Sequence, residues 1–154
     1  MNIIIAGDGK VGSALTRQLS SEGYDITVID TDPQVLEEST NRYDVMAVQG
    51  NCASMDTLLA AGVKDADLLI AATNADEVNL LCCLIAKQVG VQNIIARVRT
   101  PYYMDDIRFF RDEMGLSLAI ARSEAGQIYI DKGLPLHIYC ADTEADVRFA
   151  MDKG

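Results

Sequence analysis

The sequence predicts an α/β fold, a doubly wound parallel sheet of about six strands in a three-layer α/β/α arrangement. Three observations predict it. Short apolar runs alternate with helical periods through about residue 120. The first run empties directly into glycines at positions 7, 9 and 12. The connections between parallel strands and helices are short, and with right-handed crossovers they give a doubly wound sheet in which ligands sit at the carboxyl ends of the strands. Residues 1–120 form this domain, and residues 121–154 make an atypical tail with a possible crossover helix and strand.

The first strand is the all-apolar run of residues 2–6, whose lack of alternation marks it as buried on both faces. A helix over residues 10–22 follows, with Val11, Ala14, Leu15 and Leu19 on one face and Gly23 as its stop. Residues 26–29 make the second strand. Thr31, Asp32 and Pro33 start a helix that runs to about residue 43, and residues 45–48 are the third strand. The next helix starts near Ser54, which can cap it, and ends at Gly62. The strongest strand is 67–72, followed by a helix over 75–89 and a strand over 94–98. Pro101 opens a helix to about residue 114, and residues 116–120 are a sixth strand. In the tail, residues 124–132 have helical character and residues 134–140 strand character. The helix segment 78–85 is apolar on nearly every side, which fits either a deep core position or a subunit interface.

Composition narrows the function. Among 154 residues, 23 acidic side chains face 13 basic ones for a formal charge of −10, which opposes a nucleic-acid partner or an anionic membrane surface. The longest apolar runs are too short to cross a bilayer and no basic segment precedes a signal core, so the expectation is a cytoplasmic protein without membrane insertion. Cys52, Cys82, Cys83 and Cys140 have no CxxC spacing, which predicts reduced thiols and no metal site. A phosphorylated ligand stays compatible with the acidic balance, because helix N-termini and backbone amides supply local positive potential.

Such a ligand is what the glycines predict. Gly7, Asp8, Gly9, Lys10, Val11 and Gly12 spell GxGxxG after a buried strand and at the mouth of a helix, the context in which that weak pattern becomes specific. Gly7 permits the turn, Gly9 admits a pyrophosphate to the backbone, and Gly12 allows close helix packing. Asp30 ends the second strand, where a carboxylate accepts hydrogen bonds from both adenosine ribose hydroxyls. The domain is therefore Rossmann-like. With Thr31 between them, Asp30 and Asp32 would repel a 2′-phosphate, so NADP is excluded. NAD, NADH, or an adenine nucleotide such as ATP, ADP or AMP stay open.

Further candidates follow the other strands. Asn51, Cys52 and Ala53 come after the third strand, where a loop borders adenine in this architecture. Thr73, Asn74 and Glu77 come after the fourth and fit phosphate or ribose contact, or an ordinary helix start with an acidic first turn. Arg97 and Arg99 share one face at the end of the fifth strand and could aim at phosphates. Lys10 points outward from the glycine loop and could neutralise phosphate on its own or a neighbouring subunit. Cys52 beside the ligand also raises a redox-sensing role. No catalytic residue is assigned: a dehydrogenase needs a substrate lobe and a proton-moving pair, and His137 stands alone. The alternative is a minimal NAD-dependent oxidoreductase, or the cofactor half of one.

The runs MNIIIAGDGKVG, DITVIDTDP, GNCASMDTLLAAGVKDADLLIAATNADEVNLLCCLIAK and IIARVRTPYYMDDIRFF together resemble the N-terminal domain of potassium-conductance regulators. This is the RCK or KTN domain of the Trk-type uptake regulators. The resemblance spans residues 1–120 and rests on several motifs in order. It implies a domain that forms a homodimer, and higher rings, on the cytoplasmic face of a membrane-embedded potassium transporter or channel subunit, with NAD(H) or ATP/ADP changing its shape. By the same resemblance, Gly7, Gly9 and Gly12 hold phosphates, Asp30 holds ribose, Asn51 and Cys52 border adenine, and Thr73 with Asn74 lines the cleft. Lys10 and Arg97 occupy the family's basic positions. The sequence departs from the family at Ala121, Arg122, Ser123 and Glu124, where an Asn-Pro-Glu-like turn is usual.

Overall fold

The computed structural model describes residues 1–100 and Tyr103. Its five strands form one parallel sheet in the order β3-β2-β1-β4-β5. They are β1 (Asn2–Ala6), β2 (Asp25–Asp30), β3 (Met46–Gln49), β4 (Leu68–Ala71) and β5 (Asn93–Ala96). The sixth strand expected at 116–120, the tail from 121, and the helix expected from Pro101 apart from Tyr103, which is helical, lie outside the described residues. Four α-helices connect the strands: α1 (Lys10–Ser21), α2 (Pro33–Arg42), α3 (Met55–Ala60) and α4 (Asp76–Val89).

The order follows from the sequence one crossover at a time. From β1 the chain winds outward through α1 and α2 to β3, then returns to the other side of β1 for β4 and β5. With right-handed crossovers the two halves place their helices on opposite faces of the sheet. β1 pairs with both β2 and β4, in the registers Ile5↔Val28 and Ile5↔Ile70. Covered on both faces and both edges, it buries Ile3, Ile4, Ile5 and Ala6. Winding reverses between β1 and β4, and there the loops at the carboxyl ends of the strands diverge and leave a crevice.

α1 buries Gly12, Leu15, Thr16 and Leu19, one stripe at helical spacing. Ser54, expected to cap α3 with its side chain, does not. It precedes the helix, and its carbonyl accepts from the Leu58 N–H at 3.1 Å, while Asn51 organises the loop before it. α4 resolves the question of its apolar surface in part. Asn79, Cys82, Cys83 and Ala86 are buried against the sheet side, and Leu81 on another face is 46% exposed. Among the described residues no helix is long and apolar enough to cross a membrane.

Candidate functional site

The crevice is a cleft of about 520 Å³ walled by Gly7, Gly9, Lys10 and Val11 on one side and by Ala72, Thr73, Asn74 and Ala75 on the other. Asp30, Thr31, Asp32, Asn51 and Cys52 close one end, and Arg97 lines it beside the β4 loop.

Its floor is made by the glycine turn. The Gly7 N–H donates to the Ile29 carbonyl at 2.7 Å, so the chain leaves β1 still attached to β2. Gly7 then takes φ +93°, and a Cβ there would lie 2.7 Å from the Thr73 backbone; conformation and space both demand glycine. At Gly12 a Cβ would fall 1.8 Å from the Gly7 carbonyl oxygen, so α1 seats directly on the turn. Gly9 differs from both. Nothing lies within 4 Å of its missing Cβ, so the turn's backbone is open to an approaching group. No side chain caps α1 and no acidic residue occupies its first turn, which leaves the helix's first N–H groups and its positive end facing the cleft.

Asp30 is fixed before any ligand arrives. Its Oδ2 accepts from the Asp8 N–H at 2.8 Å and its Oδ1 from the Asp32 N–H at 3.0 Å. Each carboxylate oxygen retains a lone pair for a hydroxyl. Asp32 caps α2 by accepting from the Gln34 N–H at 2.9 Å, with Pro33 behind it at the first helical position. The next loop hangs from β2 through Gly50, whose N–H donates to the Asp30 carbonyl at 2.9 Å. Within it, Asn51 Oδ1 accepts from the Ala53 N–H at 2.9 Å, an Asx turn that presents Asn51 and Cys52 to the cleft.

The opposite wall is set by a residue that sequence reasoning passed over. Asn79 on α4 is fully buried. Its Oδ1 accepts from the Thr73 hydroxyl at 2.6 Å and the Thr73 N–H at 2.9 Å, and its Nδ2 donates to the Arg97 carbonyl at 2.7 Å. One amide thus fixes the ends of β4 and β5 together. Its signal was present: Asn79, Cys82, Cys83 and Ala86 stand at i, i+3, i+4 and i+7, which places a polar side chain in a buried stripe.

Four expected positions do not line the cleft. The Asp8 side chain turns away and is 2% exposed; its Oδ1 accepts from Thr16 Oγ1 at 3.2 Å, and its Oδ2 accepts from the Ser39 hydroxyl. Burial pushes its carboxyl above the usual range, Asp30's charge adds to this, and the two hydroxyls oppose it. Asp8 therefore straps α1 and α2 to the turn and reaches the cleft side only through its backbone. Gly12 acts by packing, and Ala53 contributes its N–H to the Asx turn. Glu77 faces outward and accepts from the Tyr103 hydroxyl, which pulls its carboxyl below the usual range.

Arg99, paired with Arg97 in expectation, is also elsewhere. Its guanidinium donates to the Asn74 carbonyl and lies 3.7 Å from Asp76 Oδ1. Strand geometry ends at Ala96, so the alternation that would align the two arginines no longer holds. Asp76, 4% exposed, receives the Thr100 hydroxyl at 2.7 Å and the Thr100 and Arg99 N–H groups at 2.8 and 3.0 Å. Burial raises its carboxyl, but the Thr100 and Arg99 hydrogen bonds and the Arg99 charge outweigh that and bring it below the usual value. Among the described residues no group of three or more His, Cys, Asp or Glu side chains is placed to hold a metal ion.

Known proteins share this arrangement. The family model described as the TrkA-N domain matches residues 3–120. The Trk system potassium uptake protein TrkA of Vibrio alginolyticus is 41% identical over 105 residues, 68% of this chain and 23% of that protein. The TrkA homolog of Archaeoglobus fulgidus is 45% identical over 105 residues, 68% of this chain and 24% of its own length. The match thus spans about a quarter of each of these relatives. Among solved structures, the Kef CTD of Shewanella denitrificans in AMP-bound form superposes with a TM-score of 0.63 at 28% identity, covering 86% of this chain and 79% of that one. With the glycine turn, the Asp30 carboxylate and the sheet order in agreement with a match over residues 3–120, the chain belongs to the TrkA-N domain family.

Proposed function

We propose that the chain is a nucleotide-binding regulatory domain of a potassium-transport system, holding NAD, NADH or an adenine nucleotide (ATP, ADP or AMP) and not NADP. In this reading it works as a cytoplasmic homodimer, or a higher ring, against a membrane-embedded potassium transporter or channel subunit, and it performs no reaction on the ligand. The observation that carries the reading is the open backbone at Gly9 opposite a pre-aimed Asp30. A pyrophosphate at the turn would meet unshielded helix N–H groups while the adenosine ribose reaches the carboxylate. Lys10 and Arg97 line the same cleft and would balance the phosphate charge. Asn51 and Cys52 would border the adenine, and Thr73 with Asn74 the remaining phosphate or ribose. The AMP-bound Kef relative and the uptake proteins named above support both the ligand class and the transport setting.

A bound nucleotide would act by favouring one assembly geometry over another, to the extent that its affinity for the two differs. Titration calorimetry with NAD, NADH, ATP, ADP, AMP and NADP tests the site. Binding by members of the first five, with NADP weaker by at least about tenfold from like-charge repulsion at Asp30 and Asp32, is the expected pattern. Asp30→Ala should weaken binding by about 1.5–3 kcal/mol, the loss of hydrogen bonds to a charged acceptor. Gly9→Val should abolish binding by filling the open space, with the fold retained. Equal affinity of wild type and Asp30→Ala would refute the assignment.

A further inference from the structure

A carboxylate stands inside the glycine turn, where a phosphate is expected. Asp8 lies between Gly7 and Gly9 and is 2% exposed. It lines a second cavity, of about 440 Å³ between α1 and α2, and Gly9 lines both that cavity and the nucleotide cleft. The thickness of the turn alone therefore separates the Asp8 side chain from the open backbone at Gly9. Consecutive Cα atoms are about 3.8 Å apart, which sets the carboxylate on the order of 7 Å from a phosphate resting on that backbone. The hydrogen bonds it accepts come from neutral hydroxyls, those of Thr16 on α1 and Ser39 on α2. Arg17 on α1, Glu38 and Arg42 on α2, and Tyr43 line the outer cavity with it, and Arg42 lies 3.9 Å from Glu38. From the end of β2, Asp30 brings a second carboxylate, which accepts from the Asp8 N–H at 2.8 Å. Lys10 and Arg97 line the cleft on the other side of the turn.

We propose that Asp8 is a specificity-determining residue for the phosphate subsite: its buried charge favours an adenosine pyrophosphate diester, with one charge on each phosphate, over a nucleotide whose chain ends in a doubly charged phosphate. The proposal deepens the function given above and rests on it. Asp8 acts through its field, since its side chain turns away from the cleft. Like charges about 7 Å apart weaken binding about threefold per phosphate charge even at the dielectric of water. NAD brings two phosphate charges to the turn and ADP three, on the same adenosine and pyrophosphate. Lys10, Arg97 and the helix N–H groups attract every one of those charges; Asp8 opposes each, and the extra one on ADP most tells the two ligands apart. The same charge links binding to protons. Burial raises the Asp8 carboxyl above its usual value, Asp30's charge adds to this, and the two hydroxyls oppose it; a phosphate at Gly9 raises it further. Above the value in the occupied cleft, Asp8 is ionised with and without ligand and the penalty is complete. Below the value in the empty cleft, it is neutral in both states and the penalty is gone. Between the two, binding takes up a proton from solvent and affinity climbs as pH falls.

The test is titration calorimetry of the whole chain, wild type and Asp8→Asn, with NAD and with magnesium-free ADP from about pH 8 down to about pH 5. The ratio of the two proteins' affinities is read at each pH, so that protons lost or gained by the ligand itself cancel. At pH 8 the variant should bind NAD about tenfold and ADP about thirtyfold more tightly than wild type, from about threefold for each phosphate charge. Both gains should shrink as the pH falls. Equal affinities of the two proteins at pH 8, an equal gain for NAD and ADP, or a gain that does not change with pH each overturns the selector. Thr16→Val supplies a second reading, and decides the matter if Asp8→Asn does not fold. It removes a hydroxyl that favours the ionised carboxyl, on a buried residue of α1 that does not line the cleft. Its ADP affinity should match that of wild type at pH 8 and begin to climb at a higher pH as acid is added; an unmoved profile overturns the proposal. Wild type that binds neither ligand removes the functional reading and the selector with it, whereas binding that Asp30→Ala weakens and Asp8→Asn leaves unchanged keeps the reading and removes the selector alone.

Discussion

Asn79 joins Thr73 to Arg97 with one carboxamide, and both partners line the cleft. Asn79→Ala would leave the Thr73 N–H and the Arg97 carbonyl without their partner at part-buried positions. A loss of about 2–4 kcal/mol is expected, combining unpaired polar groups with a small cavity. Urea unfolding checks it, and a loss below about 0.5 kcal/mol would show that the tie is dispensable. At this scale the glycine turn was readable because its constraints are backbone constraints: φ at Gly7 and the seat of α1 at Gly12 admit no side chain, whatever the surroundings. The direction of Asp8 was not readable. Position within a motif does not say which way a side chain turns, and its partners Thr16 and Ser39 lie on two helices that only the folded chain brings together.

Between elements, Asp76 is the clearest tie. It sits at the start of α4, where a carboxylate also suits the helix dipole, and it collects three donors from Arg99 and Thr100. Its folded value lies below the ordinary one, so the unfolded chain takes up the proton first as acid is added. The stability it contributes is fully present above about pH 4 and is lost as pH falls through the folded value. Asp76→Asn should flatten the acid limb of the stability curve, read from urea midpoints between about pH 2.5 and pH 6. An acid limb as steep as that of the wild type would assign the dependence to other carboxylates. The order and kind of the described elements were legible, with ends shifted by a residue or two: β5 stops at Ala96, not at residue 98. Periodicity fixes where a strand or helix has its centre, whereas its ends depend on capping and pairing. That limit misplaced Arg99, and it also gave Ser54 a capping role that its side chain does not take.

For the whole molecule, the reversal of winding beside β1 leaves the crevice at the carboxyl ends of the strands; alternation of strands and helices foretold a doubly wound sheet but not the strand at which the winding turns. Nucleotide binding to the native state alone should raise the unfolding free energy by about 2.7 kcal/mol at 100 times Kd. Thermal or urea unfolding with and without NAD measures this. The gain should vanish in Gly9→Val, whose open space would be filled, and a gain that survives there would place binding outside the cleft.

Asp30 enters any encounter already braced by the chain's own amides of residues 8 and 32. A carboxylate held in place loses little freedom when a ligand docks, so this end of the molecule behaves as an anvil. Empty and occupied forms would then be nearly superimposable around the second strand's tip. A spectroscopic reporter at that tip should therefore change little when NAD is added, and serves as the fixed reference against which a shift elsewhere is read.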